Sequence, residues 1–169
     1  RGLGTQLQQA QSLAPTFVTL WIGNNDALAA ATSGLVIEGV TLTPLAAFEA
    51  DYRTIVANLT GVGAQLAMAT IPPVTAIPFV TAVSPVIFVD PASGTQFFAI
   101  GPDGAPVGPD DFLLLTAAEL LAQGIGVPVS LGGTGEPLPD TAVLSAEEAS
   151  QIQNRVNGYN DVIRTVAAE

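Results

Sequence analysis

The sequence predicts an α/β fold, a three-layer α/β/α sandwich in which helices cover both sides of a mostly parallel sheet. Its 169 residues are a suitable length for one domain. Hydrophobic residues make up 49% of the chain and charged residues 11%, whereas disordered chains are poor in apolar residues and rich in charge. An apolar strand, an amphipathic helix and a second strand also follow one another, which predicts a right-handed βαβ unit. We expect residues 1–169 to be part of a single domain whose sheet is incomplete in this chain.

The first predicted elements are a short helix, a buried strand and a second short helix. The apolar residues Leu3, Leu7, Ala10 and Leu13 have helical spacing, which predicts an amphipathic helix over residues 3–13. Residues 16–22 form a continuous apolar and β-branched run, which is typical of a strand buried on both faces. Trp21 lies in this strand and is expected to pack in the core. After a turn, Asp26 is expected to cap a helix over residues 27–32.

A longer helix and a second strand follow. Thr43 and Pro44 predict the start of the helix, with the threonine as N-cap and the proline at the first helical position. Apolar residues spaced by three and four place one face of this helix in the core, and they are Leu45, Phe48, Tyr52, Ile55 and Leu59. Gly61 and Gly63 end the helix, and residues 65–71 predict the second strand.

Residues 76–143 then predict an insertion, which holds most of the 13 prolines. Residues 86–89 and 96–100 flank a turn and predict a hairpin. The pattern of residues 116–119 is that of a capping box and predicts a short helix that ends at Gly124. The stretch has too few regular elements for a second domain.

The apolar residues of this insertion admit two interpretations. Pro78 and Phe79 follow a strand end closely and could bind substrate, as part of a lid or wall for an acyl chain. Alternatively, the apolar residues form a satellite core beneath a long loop. The second interpretation is favoured.

The last predicted element is the longest helix. Ser145 and Glu148 form a capping box that predicts its start. Apolar residues with helical spacing then define a buried face, and they are Ala149, Ile152, Val156, Tyr159, Ile163 and Val166. Tyr52 and Tyr159 both keep register with apolar neighbours, so both are expected in the core or at its edge. Glu147 and Glu148 are interpreted as acids that complement the helix dipole rather than as a catalytic pair.

The composition excludes several classes of function. Fifteen acidic residues against four arginines give a net charge of −11, which argues against binding nucleic acid or an anionic membrane. The chain has no cysteine and no histidine, so it holds no disulfide, no thiolate zinc site and no complete Ser-His-Asp triad. Asp103, Asp110 and Asp111 lie in turns without EF-hand spacing and are interpreted as solvated rather than as a calcium site. No metal or cofactor is expected.

One long uncharged stretch raises the possibility of a membrane span. Residues 54–89 carry no charge, but they contain four prolines. Each internal proline removes a helix hydrogen bond, and lipid cannot replace it. We therefore predict no transmembrane segment.

The turn at residues 23–26 is the strongest candidate for a functional site. Ligands of open α/β sheets bind beyond the carboxyl ends of the strands, and this turn follows the first strand directly. The amide of Asn25 could donate to a developing oxyanion there. On these residues alone, an ordinary turn that leads into a helix is the favoured interpretation.

A family resemblance changes that balance. The segment PTFVTLWIGNNDAL, residues 15–28, resembles the third conserved block, G-x-N-D, of the GDSL or SGNH hydrolases. Further stretches resemble a bacterial subgroup of this family, namely residues 42–52, residues 69–79 and residues 145–163 with the pattern N-x-x-x-x-Y-N-x-x-I. The similarity extends over most of residues 5–167 and is looser in the insertion.

The resemblance implies an esterase or lipase that acts on a small-molecule or lipid ester. Asn25 then takes the role of oxyanion donor, Gly23 permits the turn, and Asp26 supports the loop. The family's G-D-S serine and D-x-x-H acid–base pair have no counterpart here, so we expect the nucleophile before Arg1 and the histidine after Glu169. The alternative is a family member that has lost its triad and acts as a binding or structural domain. An exported location is expected by analogy, and the oligomeric state is left open.

Overall fold

A computed structural model describes residues 4–169 and shows a mixed α/β fold. The helices are α1 (Gln6–Ser12), α2 (Asn25–Ser33), α3 (Leu45–Gly61), α4 (Pro78–Thr81), α5 (Ala117–Ala122) and α6 (Ala146–Ala167). The strands are β1 (Phe17–Leu20), β2 (Gln65–Met68), β3 (Val86–Val89), β4 (Gln96–Phe98), β5 (Phe112–Leu113) and β6 (Val143–Leu144). Leu3, which the sequence placed in the first helix, lies outside the described residues. Within the described part of the chain, no helix is both long and apolar enough to cross a membrane.

The expected βαβ unit is present as a parallel pair. β1 pairs with β2 in register from Phe17 opposite Gln65 to Leu20 opposite Met68, and α2 and α3 lie between them in the chain. The strands are shorter than the patterns of residues 16–22 and 65–71 predicted. The sheets among the described residues are all two-stranded, so the structure supports an α/β fold without displaying a three-layer sandwich.

The first strand is not buried on both faces, and this prediction is wrong. Val18 and Leu20 face the main core, whereas the side chain of Phe17 is 57% exposed and that of Trp21, just after the strand, is 63% exposed. The expectation that Trp21 packs in the core is therefore also wrong. A continuous apolar run does not reveal whether a second layer covers the strand, and no described element covers this face.

The main core, defined as the cluster of buried side chains from β1, α2, α3 and α6, confirms two predicted helix faces. On α3, three of the five predicted residues are buried (Phe48, Tyr52 and Leu59), Ile55 is half-buried, and Leu45 at the first turn is exposed, so that part of the prediction is wrong. On α6, every apolar residue of the predicted face is buried, and these are Ala149, Ile152, Val156, Tyr159, Ile163 and Val166. The two helices pack directly against each other.

Of the two capping boxes that the sequence predicted, only the one whose first residue has an extended backbone is formed. Ser145 is extended, with ψ at 155°, and its hydroxyl and the Glu148 carboxylate form the predicted capping box. Thr116 has the same sequence pattern but helical dihedrals, so its side chain makes no cap. α3 begins one residue later than expected, with Pro44 rather than Thr43 at the N-cap position.

The insertion contains a small core of its own, but it bears out the satellite-core interpretation only in part, because Val80 and Leu114 are buried in the main core and Phe79 packs against it. The predicted hairpin is present as the antiparallel pair β3–β4. A further antiparallel pair, β5–β6, was not predicted and links the insertion to the start of α6. The insertion core, as we call this cluster, comprises Ala99, Val107, Leu113, Ala117, Leu138, Ala142 and Val143.

Candidate functional site

The candidate site begins with a glycine turn beyond the carboxyl end of β1. Gly23 has a φ of +107°, a conformation that residues with a side chain rarely adopt. A Cβ atom at this position would lie 2.6 Å from Ile71 Cδ1 and 2.9 Å from Phe48 Cε2. Both the backbone angle and the close packing therefore require glycine, as the sequence analysis expected for a tight turn.

Asn25 is the first residue of α2 and is exposed. Within residues 4–169 its side chain makes no hydrogen bond, so its amide N–H groups are available to a ligand. The backbone N–H groups at the start of this nine-residue helix carry partial positive charge. An oxygen that gains negative charge beside Asn25 would be stabilised by both features.

Asp26 supports the loop through its backbone rather than as a helix cap. The N-cap of α2 is Asn24, whose dihedrals are helical and whose side chain makes no capping hydrogen bond. The Asp26 carboxylate lies in the first turn of the helix instead, so the expected cap is wrong. The Asp26 carbonyl accepts hydrogen bonds from Thr43 N at 2.9 Å and from the Tyr159 hydroxyl at 3.4 Å.

Tyr159 and Asn160 connect α6 to the start of α2, to the residues before α3 and to the segment after β2. The Tyr159 hydroxyl also donates to the Thr43 carbonyl. Asn160 is buried, and its side chain accepts from Ile71 N at 2.7 Å and donates to Ile71 O at 2.9 Å. Sequence reasoning assigned Asn160 no role. The available signal was a polar residue four positions after Val156, within the apolar face of the helix.

A cavity of about 420 Å³ adjoins the turn. It is lined by Gln6, Trp21, Ile22, Gly23, Asn24, Asn25, Asp26, Phe48, Asp51, Tyr52 and Ile55. Asp26 and Asp51 are the charged residues of this lining, and it includes no arginine. The cavity therefore combines an acidic rim, free amide groups and an apolar wall.

The ring of Phe48 stacks with the rings of both Tyr52 and Tyr159. The ring centroids lie 5.6 Å apart for Tyr52 and Phe48, and 4.2 Å apart for Phe48 and Tyr159. Both tyrosines are buried as expected, and burial raises the pKa of each phenol. Their hydroxyl groups differ, because that of Tyr52 has no hydrogen-bond partner among the described residues.

The structure brings Gly23, Asn25 and Asp26 together at this cavity and leaves Pro78 and Phe79 outside its lining. Pro78 begins α4, and Phe79 packs against the main core. The Phe79 carbonyl accepts a hydrogen bond from Leu115 N at 2.8 Å, which fixes α4 to the insertion.

Within residues 4–169, no group of three acidic side chains is placed so that it could hold a metal ion.

Comparison with protein-family models, with curated proteins and with solved structures finds no match to this chain.

Proposed function

We propose that this chain is the segment of a serine ester hydrolase that supplies the oxyanion-binding asparagine, Asn25. One observation carries the proposal. Beyond the carboxyl end of a parallel strand, Gly23 turns the chain so that the unpaired amide of Asn25 borders a cavity at the start of a helix. The resemblance of residues 15–28 to the G-x-N-D block of the GDSL hydrolases assigns the same role to this residue.

The chemistry follows from where charge develops during acyl transfer. Attack of a serine hydroxyl on an ester carbonyl converts the carbonyl oxygen into an oxyanion. The Asn25 amide donates a hydrogen bond to this oxyanion, and the helix start adds favourable partial charge. Gly23 and the contacts of the Asp26 carbonyl fix the turn, so the backbone that carries the donor is held in place before the reaction begins.

The serine and the Asp-His pair would come from residues outside 1–169. The exposed face of Phe17 and Trp21 supports this proposal, because a further strand and helix layer would bury both side chains and complete a three-layer sandwich. Among the described residues β1 pairs only with β2, so its other edge can accept a strand that carries the serine close to Asn25. The substrate would be a small-molecule or lipid ester, and the family resemblance favours an exported enzyme.

The test is the replacement Asn25→Ala in a protein that joins this chain to segments with the G-D-S and D-x-x-H motifs. We expect kcat for a neutral ester to fall by about 100- to 1,000-fold, the usual cost of one lost oxyanion donor. The matched control is Asn24→Ala, the neighbouring asparagine of the same cavity, with kcat expected to stay within about threefold.

A loss of less than about threefold for Asn25→Ala would contradict the assigned role, because an oxyanion donor has a far larger effect. A complete protein that hydrolyses no ester would instead support the alternative, a family member that retains only binding or a structural role.

A further inference from the structure

We infer that Tyr159 and Asn160 of α6 are positioning residues for Asn25, because each holds one of the two side chains that pack against the glycine turn. The inference rests on the proposed function, in which Asn25 is the oxyanion donor. It adds to that function two residues of a remote helix, since Tyr159 lies 133 residues after its contact Asp26 in the chain.

The position of the Asn25 amide depends on the backbone that carries it, because this side chain makes no hydrogen bond within residues 4–169. Two residues earlier, Gly23 lies against two side chains. A Cβ atom on Gly23 would be 2.6 Å from Ile71 Cδ1 and 2.9 Å from Phe48 Cε2. Both side chains are buried, so the path of the turn depends on where Ile71 and Phe48 are held.

Tyr159 holds Phe48 and also the turn itself. The ring of Tyr159 is fully buried and stacks with that of Phe48, with 4.2 Å between the centroids. The Tyr159 hydroxyl donates to the Thr43 carbonyl and lies 3.4 Å from the Asp26 carbonyl. Thr43 N donates to the same Asp26 carbonyl at 2.9 Å. The residue directly after Asn25 is therefore tied to α6 both directly and through Thr43.

Asn160 holds Ile71. Its side chain accepts from Ile71 N at 2.7 Å and donates to Ile71 O at 2.9 Å, so both backbone groups of Ile71 are fixed by one buried amide. The Ile71 side chain that these bonds place is the one whose Cδ1 atom lies against Gly23. Two adjacent residues of α6 thus hold the two neighbours of the glycine.

These contacts should affect catalysis more than stability. The net contribution of one hydrogen bond to folding is small. A reacting group displaced by about 1 Å, in contrast, can lose about 100-fold in rate. A small shift of the turn would therefore be measured first in kcat.

The test is a double-mutant cycle in the complete protein, which joins this chain to segments with the G-D-S and D-x-x-H motifs. Tyr159→Phe retains the ring and removes only the hydroxyl. We expect kcat for a neutral ester to fall about tenfold and KM to stay within about twofold, because the displaced donor acts on the transition state. In the Asn25→Ala background the same replacement should change kcat by less than about twofold, because Tyr159 acts through Asn25.

Two isoleucines give a matched pair for the contact that Asn160 supports. Ile71→Val removes Cδ1, the atom nearest to Gly23, and should lower kcat by about three- to tenfold, again only when Asn25 is present. Ile152 is equally well buried and lies about two turns of α6 before Tyr159. Ile152→Val should lower the urea midpoint by a similar amount and leave kcat within about twofold.

The 169-residue chain provides a measurement that requires no hydrolysis. Hydrogen exchange of the Thr43 N–H reports its bond to the Asp26 carbonyl. Tyr159→Phe should accelerate this exchange about tenfold more than Ile152→Val does, because only the first replacement loosens the turn locally.

Three results would overturn this inference while the proposed function stands. These are an unchanged kcat in Tyr159→Phe beside the expected loss in Asn25→Ala, an equal loss for Tyr159→Phe in both backgrounds, and equal kcat values for Ile71→Val and Ile152→Val. A complete protein that hydrolyses no ester would instead remove the proposed function. Faster Thr43 exchange in Tyr159→Phe would then still show that α6 holds the turn.

Discussion

The region around the candidate site and the insertion are stabilised in different ways. At the site, two side chains of α6 reach distant backbone: Tyr159 contacts the Asp26 carbonyl at the start of α2 and the Thr43 carbonyl before α3, and Asn160 contacts Ile71 after β2. In the insertion, main-chain bonds connect distant loops, such as Ile100 N to Gly126 O at 2.8 Å. The turn that holds Asn25 therefore depends on a few specific side chains from a remote helix, whereas the insertion depends on its own backbone and small core.

The replacement Asn160→Asp should have the largest effect on stability. A carboxylate of the same shape accepts from Ile71 N but cannot donate to Ile71 O, and it places a charge in a buried site. We expect the free energy of unfolding to fall by about 4 kcal/mol, measured by urea denaturation. Asn157→Asp is the matched control on the exposed side of α6, with a change within about 0.5 kcal/mol. Equal effects at the two positions would refute the role of the Asn160 contacts.

Removing a side chain from the insertion core tests whether the two regions are independent. Leu138 is 1% exposed and packs only within that core. Leu138→Ala should cost about 3 kcal/mol in urea denaturation, because it leaves a cavity. The native emission of Trp21, at the candidate site, should nevertheless stay unchanged.

Val129→Ala serves as the control for this replacement, since Val129 is an exposed residue of the insertion. A shift of the native Trp21 emission in Leu138→Ala alone would show that the insertion core helps to shape the candidate site.

Sequence patterns predicted correctly those helices in which the apolar residues with helical spacing are also the residues that the fold buries. The buried faces of α3 and α6 follow from helical spacing, because residues three and four apart share one side of a helix. Capping shows the limit of such patterns. Ser145 and Thr116 begin the same motif, yet only the extended backbone at Ser145 allows its side chain to cap a helix.

The candidate site shows the same division between local and tertiary information. Gly23 and Asn25 were predictable, because a strand followed by a glycine turn is a local signal. Asn160 was not, because its partner Ile71 lies 89 residues away in the chain. The exposure of Trp21 likewise depends on whether another layer covers β1, and an apolar strand pattern carries no information about that layer.

The glycine turn gives a third test, of smaller expected effect. Gly23→Ala combines an unfavourable φ with overlap against Ile71 and Phe48, whereas Gly63→Ala has a φ of +88° and no neighbouring atom within 4 Å. Both variants place alanine at a positive φ, and Gly23→Ala alone adds the overlap with the two side chains. We expect Gly23→Ala to be about 2 kcal/mol less stable than Gly63→Ala in urea denaturation. Equal stabilities would show that the turn is not tightly packed against the two side chains.

The smallest expected effect is on the ionisation of the two tyrosines at alkaline pH. Burial raises the pKa of Tyr52 and of Tyr159 above the ordinary value of 10.0 for a tyrosine. The unfolded chain therefore loses these protons at a lower pH than the folded chain does. It follows that the stability contributed by keeping both phenols neutral is fully present below pH 10 and is lost as the pH rises towards the folded pKa values.

Tyrosinate absorbance would measure these pKa values directly, because the chain has only two tyrosines. It has no lysine and no cysteine, so neither residue type loses a proton in the same pH range. In the folded chain both should ionise above pH 10.0, and in urea both should ionise close to it. Tyr52→Phe and Tyr159→Phe assign the two steps, since each variant retains one phenol. Ionisation of either remaining phenol at the same pH in folded and unfolded chains would show that it is not buried.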